Sequence, residues 1–306
     1  TFNSLKITIR TKITKVFMNI LIIANPVSSG VDIRKTARRL AVLLEERGHA
    51  PQIYLTRYRG DARHKMSSID NTIDRVVVVG GDGTFNEVLN GIPMDLGIPI
   101  TQLPAGNANL LGKDLNLPTS CRVMADLLEN GKIVQADLAE MNGSKFIMVA
   151  DVGFGARVTE EMKKNRRGKV NNFSYLLPIF RALGDLPRIY EVFVDETHYA
   201  KGAMVLVSNV KTYAGICTVA DTAGIDTGVL DVVVLPQTRA KDLINYMAHI
   251  YFGNLHSVKG VQYLKGKKIS IQCKNPMPVQ LDGDFFGRHE EVNIELSTTG
   301  YPILVP

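Results

Sequence analysis

Residues 76–84 read Val76-Val77-Val78-Val79-Gly80-Gly81-Asp82-Gly83-Thr84, and this stretch decides the fold. Four consecutive β-branched residues predict a strand buried on both faces, the pattern of a parallel sheet. The strand stops at two glycines. An acid, a third glycine, a hydroxyl and a short helix over Phe85–Asn90 follow. Glycines let backbone approach a ligand closely, and the N–H groups at a helix start face an anion, so the turn predicts a phosphate site. Asp82 adds a carboxylate able to hold Mg²⁺ or to order its water shell.

Outward from this turn, strand and helix alternate. Ile20–Ala24 is a second buried run, followed by the polar turn Asn25-Pro26-Val27-Ser28-Ser29-Gly30. Asp32 is the expected N-cap of a helix whose Ile33, Ala37, Leu40, Ala41 and Leu44 share one face, a stripe that reads as core packing. Gln52–Thr56 predicts a strand, Asp61–Ser68 a helix, and Ile98–Leu103 a strand leading into Pro104-Ala105-Gly106-Asn107-Ala108-Asn109. The alternation predicts an α/β domain over 18–132 with a parallel sheet between helical layers.

After about residue 132 the texture changes. Ile133–Met141, Lys145–Asp151, Ile189–Asp195, Ala203–Asn209, Val229–Leu235, Lys267–Cys273, Met277–Leu281 and the short Val292–Leu296 read as strands. Helices are expected only at Ala156–Lys164, Tyr175–Leu183 and Ala240–Tyr251. This predicts an all-β second domain over 133–296, a β-sandwich.

The 306 residues, 45% of them hydrophobic, suit two cores. No apolar run approaches the roughly 18 residues that span a bilayer. Cys121, Cys217 and Cys273 are odd in number and far apart, and read as buried thiols of a reducing cytoplasm. The net charge of +6 owes four of its charges to Lys6, Arg10, Lys12 and Lys15, which leaves +2 for the rest. Met18 stands like a natural start before a strand, so residues 1–17 are expected to be an upstream extension or a segment foreign to the natural chain.

Several fingerprints fail. Asn86 stands where a dinucleotide fold needs its third glycine. The run from Gly106 to Gly112-Lys113 is one residue too long for a P-loop, and Asp114 replaces its hydroxyl. The six histidines never fall at ligand spacing. In Leu281-Asp282-Gly283-Asp284, two carboxylates flank a glycine after an apolar strand, most simply a surface turn. Set opposite Asp82, the same turn would supply a carboxylate that takes a proton from an attacking hydroxyl beside metal-bound phosphates.

In family order, these motifs resemble the diacylglycerol kinase catalytic family, soluble bacterial lipid kinases related to sphingosine and ceramide kinases. Asn25-Pro26 with Gly30 is similar to the first nucleotide loop. Leu55-Thr56 with Gly60-Asp61-Ala62 matches the threonine before a "GDA" helix. Gly80–Thr84, continued by Phe85-Asn86-Glu87-Val88, is the central signature, and Pro104-x-Gly106-x-x-Asn109 the second glycine loop. Val152-Gly153-Phe154-Gly155-Ala156 resembles the opening of the lipid-binding domain. Asp282-Gly283-Asp284 stands at the family's "DGE".

The resemblance implies an ATP- and Mg²⁺-dependent lipid kinase acting on a lipid such as diacylglycerol or a sphingoid base. By it, Asn25, Pro26, Gly30, Thr56, Gly80, Gly81, Asp82, Gly83, Thr84, Asn86, Glu87, Gly106, Asn107 and Asn109 line the nucleotide site. Asp284 accepts the lipid proton, Asp82 and Asp282 order Mg²⁺ and water, and Asp137 joins that network. The tail, 297–306, returns to the first domain. The chain departs from the pattern at Asp284, one methylene shorter than Glu, at Leu110, where bacterial members often carry Asp, and at Thr227, where many carry a structural-metal Asp. Asp226 is then the residue left for a structural Mg²⁺.

The expected partners are a lipid and, transiently, an anionic membrane surface met peripherally from the cytoplasm, with no nucleic acid; a homodimer stays open. Lys163-Lys164-Asn165-Arg166-Arg167-Gly168-Lys169, five cations in seven residues, is either a solvated loop or a headgroup contact. Two other readings stand beside the lipid kinase. One is a relative of NAD kinase or phosphofructokinase, which share the Gly-Gly-Asp-Gly turn. The other is a non-catalytic nucleotide- or lipid-binding protein on a degenerate kinase scaffold.

Overall fold

The computed structural model describes residues 17–27, 32–164, 176–183, 188–213 and 217–306. Expectations for residues 1–16, for Gly30 and for 165–169 lie outside the described residues.

Val76–Val79 are fully buried in β3 (Arg75–Gly80). Alternation along the strand sends them to two cores. Val76 and Val78 join Leu21 and Ile23 of β1 (Asn19–Ala24) against Phe85, Val88 and Leu89 of α3 (Asp82–Gly91). Val77 and Val79 join Ile20 and Ile22 against Leu40 and Leu44 of α1 (Ile33–Glu46). The Asp32 carboxylate accepts the Lys35 N–H at 3.0 Å and caps α1 as predicted. The first core also holds α2 (Asp61–Met66) and α4 (Leu110–Asp114), the second α5 (Cys121–Asn130). The result is three layers, helices on either side of one sheet.

That sheet runs β2 (Ala50–Leu55), β1, β3, β4 (Ile100–Pro104), β18 (Tyr301–Val305), β5 (Lys132–Ala136). All its pairings are parallel except β18 with β5. The chain leaves β1 toward β2 on one side and reaches β3 on the other. A crevice therefore opens at the carboxyl ends of β1 and β3, where such folds bind ligands. Asn25 directly follows β1, and Gly80 ends β3. The tail strand β18 lies inside the sheet, with Ile303 fully buried and the Tyr301 hydroxyl donating to the Ile98 carbonyl at 2.9 Å.

The second domain is a β-sandwich of antiparallel strands. Its short opening strands are β6 (Ala139–Met141), β7 (Ser144–Phe146) and β8 (Val149–Gly153). After α6 (Phe154–Lys164) and α7 (Leu176–Leu183) come β9 (Tyr190–Val194), β10 (His198–Gly202) and β11 (Met204–Ser208). The small pair β12 (Thr212–Tyr213) and β13 (Cys217–Thr218) precedes β14 (Leu230–Leu235), α8 (Ala240–Tyr251) and β15 (Gln262–Gly266). The long hairpin β16 (Lys268–Leu281) and β17 (Asp284–Leu296) completes it. Ile269–Gln272 of β16 pair with β9, and Val279–Leu281 pair with β8. The register shift between Gln272 and Met277 spans Pro276, which has no N–H for a ladder, and lets one strand serve both layers.

The expected strands divide or merge in three places. Ile133–Met141 divides at Asp137 into β5 of the first sheet and β6 of the second. Lys145–Asp151 divides at Ile147-Met148, because those two N–H groups are taken by a side chain instead of a neighbouring strand. Lys267–Cys273 and Met277–Leu281 instead fuse into β16. The helix of the central turn begins at Asp82, three residues earlier than the apolar pattern indicated.

Because β18 sits inside the first sheet, Ile303→Ala should cost about 2–5 kcal/mol in chemical denaturation, the range for a buried Ile. A cost below about 0.5 kcal/mol would show that the tail strand does not hold the sheet.

Candidate active site

The site begins where β3 meets α3. Gly81 is the extended N-cap residue, and its Cα touches the backbone of Gly106 from the loop after β4. A Cβ on Gly106 would lie 2.5 Å from the Gly81 Cα, so no side chain fits between the two loops. The Ala105 N–H donates to the Gly80 carbonyl at 3.0 Å and extends the β3–β4 pairing into them. Asn109, at φ +49°, closes its own loop: its Oδ1 accepts the Gly106 N–H at 2.8 Å, and its Nδ2 donates to the Gly106 carbonyl at 2.9 Å.

Asp82 bridges the loops. Its carboxylate accepts the Leu110 N–H at 2.9 Å and the Leu111 N–H at 3.3 Å, at the start of α4. Burial pushes its carboxyl up, and these donors pull it back. Asn25 Nδ2 donates to Thr84 Oγ1 at 3.1 Å, and Asn25 Oδ1 accepts the Val27 N–H at 3.1 Å across Pro26. Thr56 is buried at the end of β2, its N–H on the Ala24 carbonyl at 2.9 Å. Asn107 is exposed on the rim of the second glycine loop. Asn25, Thr56, Gly80–Thr84 and 106–109 thus share the carboxyl end of the sheet.

Asn86 and Glu87 have other partners. Asn86 Nδ2 donates to Asp282 Oδ2 at 3.0 Å and faces the Lys145 carbonyl at 3.3 Å. Glu87 accepts the Gly60 N–H at 2.8 Å and pins the turn after β2 to α3. These two side chains join elements of the fold instead of facing the crevice.

Asp282 and Asp284 differ sharply. Asp282 is buried, at φ +47°, between the two domains. Its Oδ1 accepts the N–H groups of Met148 at 2.9 Å and Val149 at 3.0 Å. Its Oδ2 accepts Ile147 N–H at 3.2 Å and Asn86. Four N–H donors fill the usual lone-pair directions of a carboxylate, so the metal-ordering role expected from sequence gives way to that of a clip. Burial pushes the Asp282 carboxyl up, against these four bonds. Asp284, two residues on, has a side chain 55% exposed, and a Cβ on Gly83 would lie 3.6 Å from its Oδ2. The clip therefore holds an exposed carboxylate over the first turn of α3. Arg59 Nη2 reaches the same Oδ2 at 3.3 Å. Sequence reading missed Arg59; its place after Thr56 and before Gly60 was the available signal.

The Asp284 turn is braced from behind. Gln280 Oε1 accepts the Gly283 N–H at 2.6 Å, and the Gln280 side chain also bonds Asp151. Asp151 lies fully buried in β8 with the Tyr213 hydroxyl on its Oδ2, and burial raises its pKa to about 7.

Asp137 lies elsewhere than the phosphate turn. Its Oδ2 accepts the Gly228 N–H at 2.6 Å, and burial, with Asp226 adding repulsion, raises its pKa. Thr227 closes the same turn through its hydroxyl, which donates to the Val229 carbonyl at 2.9 Å. Among the described residues, no three His, Cys, Asp or Glu side chains cluster as a metal site. Lys163 stacks over Phe285 at 5.4 Å, and Lys164 pairs with Glu160 and Glu161, which ties the described part of the basic cluster to the Asp284 hairpin.

Comparison with known proteins agrees with this geometry. Residues 19–141 match the diacylglycerol kinase catalytic domain, and residues 148–296 match the YegS C-terminal NAD kinase beta sandwich-like domain. A diacylglycerol kinase of Staphylococcus saprophyticus is 27% identical over 271 residues, covering 87% of this chain and 89% of its own. That of Bacillus subtilis is 25% identical with the same coverage. A crystal structure described as a putative diacylglycerol kinase from Bacillus anthracis superposes with a TM-score of 0.77 at 22% identity, covering 95% and 98% of the two chains. An ATP complex of an Archaeoglobus fulgidus NAD kinase shares the fold at a TM-score of 0.54 and 13% identity, covering 94% and 93%.

Two outcomes are expected. Asp282→Ala strands three backbone donors and should cost about 3 kcal/mol or more, with early hydrogen exchange at Ile147–Val149; a neutral result would remove the clip. Asp151 gives a pH signature. An acid whose pKa is raised from 3.8 to about 7 on folding contributes most below 3.8, and that contribution is lost as pH rises toward 7. Denaturation should show the wild type losing stability relative to Asp151→Asn across that window, and a pH-independent difference would contradict the burial argument.

Proposed function

The chain belongs to the diacylglycerol kinase catalytic-domain family, and from that premise we propose that it moves the γ-phosphate of ATP to a lipid hydroxyl with Asp284 as proton acceptor. It is a lipid kinase, an enzyme that phosphorylates an alcohol. The observation that carries the finer reading is the Asp284 carboxylate against Gly83 at the start of α3. Phosphates bound by the Gly80–Thr84 turn would meet N–H groups and the positive end of the helix. A hydroxyl placed between that turn and Asp284 can give its proton to Oδ2 as it attacks. The loops at Asn25, Thr56 and 106–109 would hold the rest of the nucleotide. Arg59, beside Asp284, lies where charge on the transferring phosphoryl group would develop.

Mg²⁺ fits this donor set through Asp82. The Leu110 and Leu111 N–H groups bond different oxygens of its carboxylate, and Mg²⁺ is commonly held by one or two carboxylates together with substrate phosphates. Bound there, the ion would neutralise phosphate charge. Asp137 and Asp226 face each other at a separate turn and would hold any structural ion as a pair. No helix among the described residues is long and apolar enough to cross a membrane.

Radiolabelled ATP, Mg²⁺ and micellar diacylglycerol or sphingoid base test the reading. Asp284→Asn should lower turnover by about 100- to 10,000-fold with the fold intact by circular dichroism. A folded Asp284→Asn chain with normal turnover would remove Asp284 as the base.

A further inference from the structure

The helix α8 is apolar on two faces. Leu243, Tyr246 and Ile250 turn inward and pack with Met204 and Leu206 of β11 and Val233 and Leu235 of β14. Ile244, Met247, Ala248 and Tyr251 stand at the i, i+3, i+4 and i+7 spacing of one helical face, and all four are exposed. Ile244 is 71% exposed, Met247 51% and Tyr251 85%. Phe252, just past the helix, is 74% exposed and meets the Tyr251 ring edge-on at 5.3 Å. Lys241, Asp242, Asn245 and His249 are confined to one flank between the two faces. A helix with only water above it keeps its polar residues on the outward face, and α8 puts them to the side. Single exposed apolar residues are ordinary, whereas these large ones, gathered within 244–252, form a contiguous patch.

Charge and area say what covers the patch. Residues 237–260 carry Arg239, Lys241 and Lys259 against one acid, Asp242, whose carboxylate is engaged by the Arg239 N–H at 3.2 Å at the helix start. Lys241 and Lys259 are exposed. An apolar stripe rimmed by cations complements acyl chains lying beneath anionic headgroups. A second copy of the chain fits less well. At about 200 Å² for a large side chain, the exposed parts of Ile244, Met247, Tyr251 and Phe252 come to on the order of 550 Å², short of the roughly 800 Å² per partner of a stable dimer. A bilayer sets no such minimum, and a helix of 12 residues, about 18 Å long, is suited to lie in its surface and too short to span it. The position also serves the reaction. Thr238, which leads into α8, lines a small cavity with Pro278 and Arg288, a pair across the hairpin that carries Asp284. Arg288 is four residues from Asp284 along β17, about 13 Å at about 3.3 Å per residue.

We propose that the outward face of α8, Ile244, Met247 and Tyr251 together with Phe252, docks in the surface layer of an anionic bilayer and so seats the enzyme beside its lipid acceptor. The proposal rests on the lipid-kinase reading for the word acceptor, and its test separates the two. The chain has no tryptophan, so Tyr251→Trp places a lone indole on this face. With vesicles of equal parts phosphatidylcholine and phosphatidylglycerol, its emission should shift to the blue and be quenched by brominated acyl chains. Ile244→Ser with Met247→Ser, made in the otherwise unaltered full chain, should weaken binding to these vesicles about tenfold or more. Lys241→Gln with Lys259→Gln should weaken it about tenfold and leave binding to pure phosphatidylcholine vesicles within about twofold. Both pairs should keep ATP binding, and phosphorylation of a short-chain diacylglycerol dissolved as monomers, within about twofold, which also reports an intact fold. Phosphorylation of a long-chain diacylglycerol presented in the anionic vesicles should fall about tenfold in kcat/KM with the serine pair.

An indole whose emission ignores the vesicles, or vesicle binding that survives the serine pair, overturns the proposal. Sedimentation without lipid tests the competing occupant: a dimer that the serine pair dissolves assigns the face to a second copy of the chain and overturns the bilayer. Turnover by the unaltered chain is read separately. Phosphorylation of neither diacylglycerol, with serine-sensitive vesicle binding intact, refutes the lipid-kinase reading and supports the docking face alone.

Discussion

One buried carboxylate organises the active region. Asp282 accepts N–H bonds from Ile147, Met148 and Val149 of the second domain and from Asn86 of the first. A buried ionised group is tolerated only when its oxygens are satisfied, and here all four bonds are made inside the protein. The donors gain equally. The backbone between β7 and β8 would otherwise be buried without a ladder, at a cost of about 1–3 kcal/mol per unpaired group. The clip fixes the hairpin that carries Asp284, fixes α3 through Asn86, and so sets the Asp284 carboxylate against the Gly80–Thr84 turn.

Three aspartates in the site divide the work by burial. Asp282 is saturated and structural. Asp82 is half-buried and holds the neighbouring helix. Asp284 faces solvent, touched by Arg59 through an exposed pair that contributes little to stability. The support extends backwards through Gln280 to Asp151, so the conformation of the 283–284 turn is determined from inside the sheet.

The first domain was legible because its signals are local. The four valines, the α1 stripe with its Asp32 cap and the glycine loops each state their structure within a few residues. At Gly81 and Gly106 the structure shows a loop-to-loop contact, where the sequence pattern implied close approach to a ligand. The second domain was less legible because its breaks have distant causes. The strand expected at Lys145–Asp151 stops where it does because of a side chain 135 residues away. β16 runs through Pro276 because a bulge absorbs it, and Pro278 then pairs in register with Arg288, which no local propensity announces. Asn86 and Glu87 carry motif identity, yet their partners are Asp282 and Gly60, visible only once the chain is folded. Arg59, an exposed arginine in a loop, has no periodicity to betray it.

The central claim is that the Asn86–Asp282 bond couples the two domains and thereby places Asp284. A double-mutant cycle on Asn86→Ala and Asp282→Asn, read both in denaturation free energy and in kcat, tests it most directly. Coupling of about 1–3 kcal/mol in stability, with kcat of each single variant already near that of the double, is the predicted result. Additive effects, with coupling below about 0.5 kcal/mol in both readouts, would contradict it.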